Sequence, residues 1–171
     1  MFGLQVSAGF KAAAILAATL ALGACASKTD QAGAGGGAAG LYGAGASTPG
    51  SAQDFVVNVG DRVFFETDST TLTATAVSTL DKQSAWLQRF PHYTFLIEGH
   101  ADERGTREYN YALGARRAQT VYDYLVSRGI PSNRIRVVSY GKERPVAVCN
   151  DISCWSQNRR AVTVLDRPAG S

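Results

Sequence analysis

An aspartate at position 102 and an arginine at position 117 flank what reads as the start of a helix, and an acid opposite a guanidinium suits a zwitterionic ligand. Asp102 would take an ammonium, and Arg117 would take a carboxylate as a two-pronged, charge-assisted contact. The segment around them, Ile97 to Ala118, reads IEGHADERGTREYNYALGARRA. Its apolar run ends at Gly99, a polar and charged turn follows, and from about Arg107 the apolar spacing becomes helical. The first N–H groups of a helix lack internal partners and the helix dipole adds partial positive charge, so this junction favours an anion. Thr106 reads as the N-cap. Asn110, Leu113 and Arg117 are three and four residues apart and share one stripe facing back towards the turn. Spacing alone leaves open the commoner alternative, a solvated Asp–Arg ion pair of little energetic consequence.

Two further motifs narrow the choice. GHADERGTREYNYALGARRA, followed by SYGKERP at Ser139 to Pro145 and NRRAV at Asn158 to Val162, resembles the peptidoglycan-associated lipoprotein family. That family carries the peptidoglycan-binding domain also found at the C-terminal end of outer membrane protein A. The similarity runs from about Asp54 to Arg167. It implies that Asp102 and Arg117 hold meso-diaminopimelate of the wall peptide, with Asn110, Leu113 and Thr106 beside them. It also implies a second pocket wall at Phe65-Glu66-Thr67-Asp68, where the family shows a phenylalanine followed by acids. Glu replaces the first acid here, so Asp68 is the stronger candidate and Glu66 the weaker. Glu103 and Arg104 are expected to matter little to the amino-acid contact.

Residues 1–24 hold a single Lys at position 11 and then AAAILAATLALGA, an apolar run suited to a secretory leader rather than a membrane span. The ending Leu22-Gly23-Ala24-Cys25 resembles the bacterial lipobox, in which the Cys is acylated and the leader removed. Buried acyl chains contribute about 0.8 kcal/mol per methylene, enough for several to anchor a protein durably. With Cys25 lipidated, the three cysteines reduce to Cys149 and Cys154, an even pair expected to be bridged in an oxidising compartment. Position 26 is Ala rather than the Asp of inner-membrane retention, so the resemblance implies an outer-membrane lipoprotein facing the periplasm.

Residues 25–53 are expected to form a lipidated Cys and a flexible Gly/Ala-rich tether. A flexible chain of this length has an r.m.s. span on the order of 30 Å and an extended limit of roughly 100 Å. The ordered domain is expected over residues 54–171. Within it the pattern predicts strands at Phe55–Val59 and Arg62–Glu66, a helix from about Thr73 to Phe90, and a central strand at Tyr93–Glu98. A second helix over Arg107–Arg128, stopped by Gly129 and Pro131, leads to strands at Arg134–Tyr140 and Arg160–Leu165. The last two strands are separated by a surface excursion closed by the cysteine pair. The order predicts an α+β two-layer sandwich: a mixed sheet of about four strands with helices on one face. Strand order is not deducible from the pattern.

Several activities are disfavoured. A net charge of +3, without a basic run interleaved with aromatics, does not suit nucleic-acid binding. His100, Asp102 and Glu103 would be the material for a metal or acid–base cluster, yet His92 is the only other histidine and no HExxH, Cys/His cluster or GxSxG elbow accompanies them. Binding without turnover, cofactor or metal is therefore the expected class, with His100 supporting the turn. The resemblance also implies partners: TolB and the other Tol proteins, with roles in envelope integrity and constriction at division. The charges of Lys142-Glu143-Arg144 and Asn158-Arg159-Arg160 read mostly as solvated, with Arg159 and Arg160 sent to opposite faces by strand alternation.

Overall fold

The computed structural model describes residues 47–166. The expected leader, Cys25 and the tether up to residue 46 lie outside them. Folded structure reaches back into the segment read as tether. Ser51 caps a short helix α1 (Ala52–Asp54), Gly50 N donates to Asp54 Oδ2 at 2.8 Å, and Tyr93 Oη donates to the Gly50 carbonyl at 3.0 Å.

The chain continues from α1 into a π-helical turn over Phe55–Gly60, where the β-branched composition predicted a strand. Tertiary packing overrides that local preference. Phe55 is fully buried against the indole of Trp86, at a centroid distance of 4.9 Å, and Val56 and Val57 are left exposed. Strand β1 (Arg62–Phe64) follows, then helix α2 (Ala74–Arg89), whose N-cap Thr73 accepts from Ala76 N at 3.1 Å. The apolar spacing of this helix puts Ala76, Val77, Leu80, Ser84 and Leu87 on one face; all but the half-buried Val77 are buried, together with Gln83 and Trp86. Gln83 is satisfied inside the core, donating to the Gly60 carbonyl at 2.7 Å and accepting from Thr163 Oγ1 at 2.9 Å.

Strand β2 (Phe95–His100) carries the chain to the turn, helix α3 (Arg107–Ser127) returns it, and β3 (Ile135–Gly141) lies parallel to β2. A short helix α4 (Ile152–Asn158) occupies the excursion, and β4 (Arg160–Leu165) closes the sheet. The strand order is β1-β4-β2-β3, with β4 antiparallel to both neighbours. The expected two-layer α+β architecture is thus present, with the mixed sheet inserting its last strand between the first two. Phe95 and Ile97 from β2, Leu80 and Leu87 from α2, and Val121 and Leu125 from α3 form the shared core.

The approach of α3 to β2 fixes where the junction lies. A β-carbon on Gly99 would stand 1.9 Å from the Gly114 carbonyl oxygen, so no larger residue fits there. Ser139 Oγ of β3 donates to the Tyr111 carbonyl at 2.7 Å, fastening the same stretch of helix from the next strand.

Candidate functional site

Four segments converge at the β2–α3 junction: the turn after β2, the first turns of α3, the β1–α2 loop and the start of β4. Ala101 N donates to the Gly141 carbonyl at 2.8 Å, which ties the turn to the end of β3. Lys142 Nζ donates to the carbonyls of Gly105 at 2.7 Å and Glu103 at 3.2 Å, and Asn110 Nδ2 donates to the Arg104 carbonyl at 2.7 Å. Thr106 is the N-cap of α3, its hydroxyl accepting from Tyr109 N at 3.2 Å. The turn is held from both sides, and the helix start points into it.

A cavity of about 290 Å³ opens here, lined by Thr67, Asp68, Asp102, Arg104, Gly105, Tyr109, Asn110 and Leu113. Four of the residues singled out from the sequence therefore share one pocket wall: Asp102, Asn110, Leu113 and Asp68. Asp68 sits at φ 55°, in the left-handed region, and its carboxylate accepts from the Tyr109 hydroxyl across the cavity mouth. A roomier groove of about 650 Å³ lies between Arg107, Tyr111 and the Gly141–Glu143 segment. It contains none of Asp68, Asp102, Asn110 and Leu113, so the smaller cavity is the candidate site; Thr106 lines neither and acts as the cap of α3.

Arg117 is placed differently from expectation. Its guanidinium is fully buried and does not line the cavity. Nε donates to the Ser69 carbonyl at 2.9 Å, Nη1 to His100 at 2.9 Å and Nη2 to Glu66 at 3.2 Å, with the charge 5.2 Å from the Phe65 ring centroid. Burial pushes this arginine down to about 10, leaving it charged at neutral pH. It staples the β1–α2 loop and the end of β2 to α3. Glu66 enters through that backbone carbonyl, not through a side chain in the cavity.

Two arginines that sequence reasoning set aside belong to the site. Arg104 folds back on Asp102, its Nη2 2.8 Å from Oδ2 and its Nε and backbone N each 3.2 Å from Oδ1. Arg159, read as a solvated charge, is buried: Nε donates to the Phe65 carbonyl at 3.0 Å and Nη1 reaches Asp102 Oδ2 at 3.4 Å. Burial pushes the Asp102 carboxyl up, but the bonds from Arg104 and Arg159 outweigh it and hold the group below the usual carboxylate range. Asp102 and Arg159 are 57 residues apart, so only the fold brings them together. Arg160 points the other way, its Nη2 donating to the Arg144 carbonyl at 3.1 Å, as the alternation of β4 requires.

His100 does not join Asp102 in a catalytic group. Its ring lies 5.6 Å from that of Tyr140, and Nε2 stands 3.4 Å from Glu98 Oε2 without the alignment of a hydrogen bond. Among the described residues no group of three His, Cys, Asp or Glu is placed to hold a metal ion. Cys149 is bridged to Cys154 within α4, and that helix sets Trp155 against the turn. The Arg104 guanidinium stacks 4.2 Å from the indole centroid, and Trp155 Nε1 donates to the Glu103 carboxylate. Arg104 and Glu103 are therefore coupled to the excursion. An anionic carboxylate among three arginines, beside a helix start and an apolar Leu113, can recognise a small charged head group.

The OmpA family model matches residues 64–159. The peptidoglycan-associated lipoprotein of Rhizobium meliloti is 67% identical over 154 residues, covering 88% of this chain and 84% of that protein. That of Brucella melitensis is 68% identical over 124 residues, covering 72% and 74%. Among solved structures, the peptidoglycan-associated lipoprotein from Burkholderia pseudomallei is similar at a TM-score of 0.64 and 36% identity, over 68% of this chain and all of that one. The C-terminal domain of Helicobacter pylori MotB, at 22% identity and a TM-score of 0.59, over 64% of this chain and 86% of that one, shares the fold.

Proposed function

Because this chain belongs to the OmpA family, and within it to the peptidoglycan-associated lipoproteins, we propose that it binds peptidoglycan non-covalently and tethers the outer membrane to the wall. The ligand is the free amino-acid head group of meso-diaminopimelate in the stem peptide. Asp102 takes its ammonium, while the N–H groups at the start of α3 and the field of Arg117 favour its carboxylate. Asn110, Leu113 and Asp68 shape the walls, and Thr106 caps the helix start beside them. Arg117 is engaged with three carbonyls, so direct contact with a carboxylate requires the loop at residues 66–69 to part from it.

The observation that carries this reading is the position of Asp102, a buried acid at the edge of a 290 Å³ cavity beside the capped start of α3. Cys25 supplies the membrane end through acyl chains, and residues 26–46 the reach. Confinement beside a repetitive polymer raises effective concentration, so a weak individual contact suffices. TolB and the other Tol proteins are the proposed protein partners, in envelope integrity and division. The excursion offers them exposed Val146, Val148 and Ile152 beside the wall-facing turn.

The test is co-sedimentation of the full chain in detergent with purified diaminopimelate-type wall. Free diaminopimelate-containing peptide should release it in proportion to concentration, and unmodified wall should be recovered afterwards. Retention unaffected by the peptide would refute the ligand, and altered wall would point to an enzyme.

A further inference from the structure

The carboxylate of Asp102 is already saturated. Its two oxygens offer about four lone-pair sites. Arg104 N and Nε fill those of Oδ1, and Arg104 Nη2 and Arg159 Nη1 fill those of Oδ2. A ligand ammonium therefore finds no free acceptor there unless a donor leaves. The two arginines differ in their freedom to do so. The side chain of Arg159 is 5% exposed and also holds the Phe65 carbonyl, so withdrawing it would strand buried groups. The side chain of Arg104 is 41% exposed and can exchange its carboxylate bonds for water at small cost.

Something holds Arg104 in place all the same. Its guanidinium lies 4.2 Å from the centroid of the Trp155 ring, a cation–π contact made in addition to its bonds to the carboxylate. Trp155 is itself positioned: Asp151 caps α4, the Cys149–Cys154 bridge closes the preceding loop, and Asn158 at the helix end bonds both Val146 N and the Ala147 carbonyl. The excursion thus presents a positioned aromatic face to a partly exposed cation.

We infer that Arg104 is a built-in competitor for the ligand's ammonium, seated on Asp102, held there by Trp155 and displaced when ligand binds. The inference rests on the proposed binding of an amino-acid head group at Asp102. It makes the disulfide-closed excursion a device that sets affinity: the better Trp155 holds Arg104, the weaker the binding and the easier the release. Trp155 is a positioning residue, acting through Arg104.

The test is calorimetric titration of the full chain in detergent with the soluble tripeptide L-Ala-γ-D-Glu-meso-diaminopimelate. Arg104→Gln should bind about five- to tenfold more tightly than the parent. Trp155→Ala should bind about two- to fivefold more tightly, and should add nothing in the Arg104→Gln background. A purely structural role would loosen the site and weaken binding instead, so unchanged or weaker binding by Arg104→Gln overturns the inference. A second readout does not depend on the ligand: NMR titration of the Asp102 carboxyl. Its pKa should rise in Arg104→Gln and, to a smaller extent, in Trp155→Ala; no rise in either overturns the competitor. The proposed function fails separately, if Asp102→Asn binds the tripeptide as the parent does.

Discussion

Gly99 and Gly114 face each other so closely that a β-carbon on Gly114 would meet the Gly99 carbonyl oxygen at 2.8 Å and Ser139 Oγ at 2.5 Å. This contact sets α3 directly on β2 and so aligns the capped helix start with the turn that bears Asp102. The site inherits its geometry from two residues that have no side chain. Gly114→Ala should force the helix off the strand, at an overpacking cost of about 1–3 kcal/mol. Urea denaturation checks this, and an unchanged midpoint would mean that the contact is slack.

Arg117 should prove a stability residue as much as a binding one. Arg117→Met would leave the carbonyls of Ser69, His100 and Glu66 without their donor, at roughly 1–3 kcal/mol for each acceptor that stays buried. A loss of about 3 kcal/mol or more is expected on urea denaturation. Arg117→Lys should restore only part of it, because an ammonium cannot span three carbonyls in a fork. Equal stability of Arg117→Met and the parent would refute the staple.

His100 should give the domain an acid-sensitive stability. Burial, reinforced by Arg160 and Arg144, pushes its imidazole down to about 4, while an unfolded histidine titrates near 6.5. The ring faces Glu98 on its own strand, Tyr140 on β3 with Arg144 stacked over it, and Arg160 on β4. Below the unfolded value the unfolded chain binds the proton first, so stability falls as pH drops from about 6.5 towards 4, by up to roughly 3 kcal/mol, and this contribution then levels off. His100→Phe should flatten that part of the curve while keeping the stack on Tyr140. An identical pH slope in both proteins would contradict the assignment.

Membrane attachment should depend on Cys25 alone. Cys25→Ser should move the chain from the membrane to the soluble fraction while leaving its melting temperature unchanged. Continued pelleting of wall-free membranes with Cys25→Ser would exclude the lipid anchor.

Much of the fold was legible because local signals agreed. Thr106 caps α3 as its position predicts, α2 begins beside the expected Thr73, and α3 reaches its C-cap at Arg128 just before Gly129 and Pro131. Phe55–Val59 misled because its β-branched residues favour a strand, whereas the burial of Phe55 against Trp86 decides the backbone. Helix α4 was hidden inside a stretch that the cysteine pair marked as loop.

The site divided along the same line. Asp102, Thr106, Asn110 and Leu113 lie within one strand-turn-helix unit, so their spacing conveyed their proximity. Arg159 reaches Asp102 from the far end of the domain, and Arg104 is held by a tryptophan 51 positions away in the chain. No periodicity encodes either contact. Arg117 shows the complementary limit: helical spacing put it on the correct stripe, but which carbonyls would meet it depended on the path of the β1–α2 loop.

The central claim is that Asp102 recognises the ammonium of a wall diaminopimelate. The most direct measurement is wall co-sedimentation of full-length parent and Asp102→Asn chains in detergent, with the melting temperature of each recorded in the same buffer. One charged hydrogen bond contributes roughly 1.5–3 kcal/mol, so a folded Asp102→Asn chain should lose about tenfold or more in retention. Retention equal to the parent's, by an Asp102→Asn chain that melts as a folded domain, would contradict it.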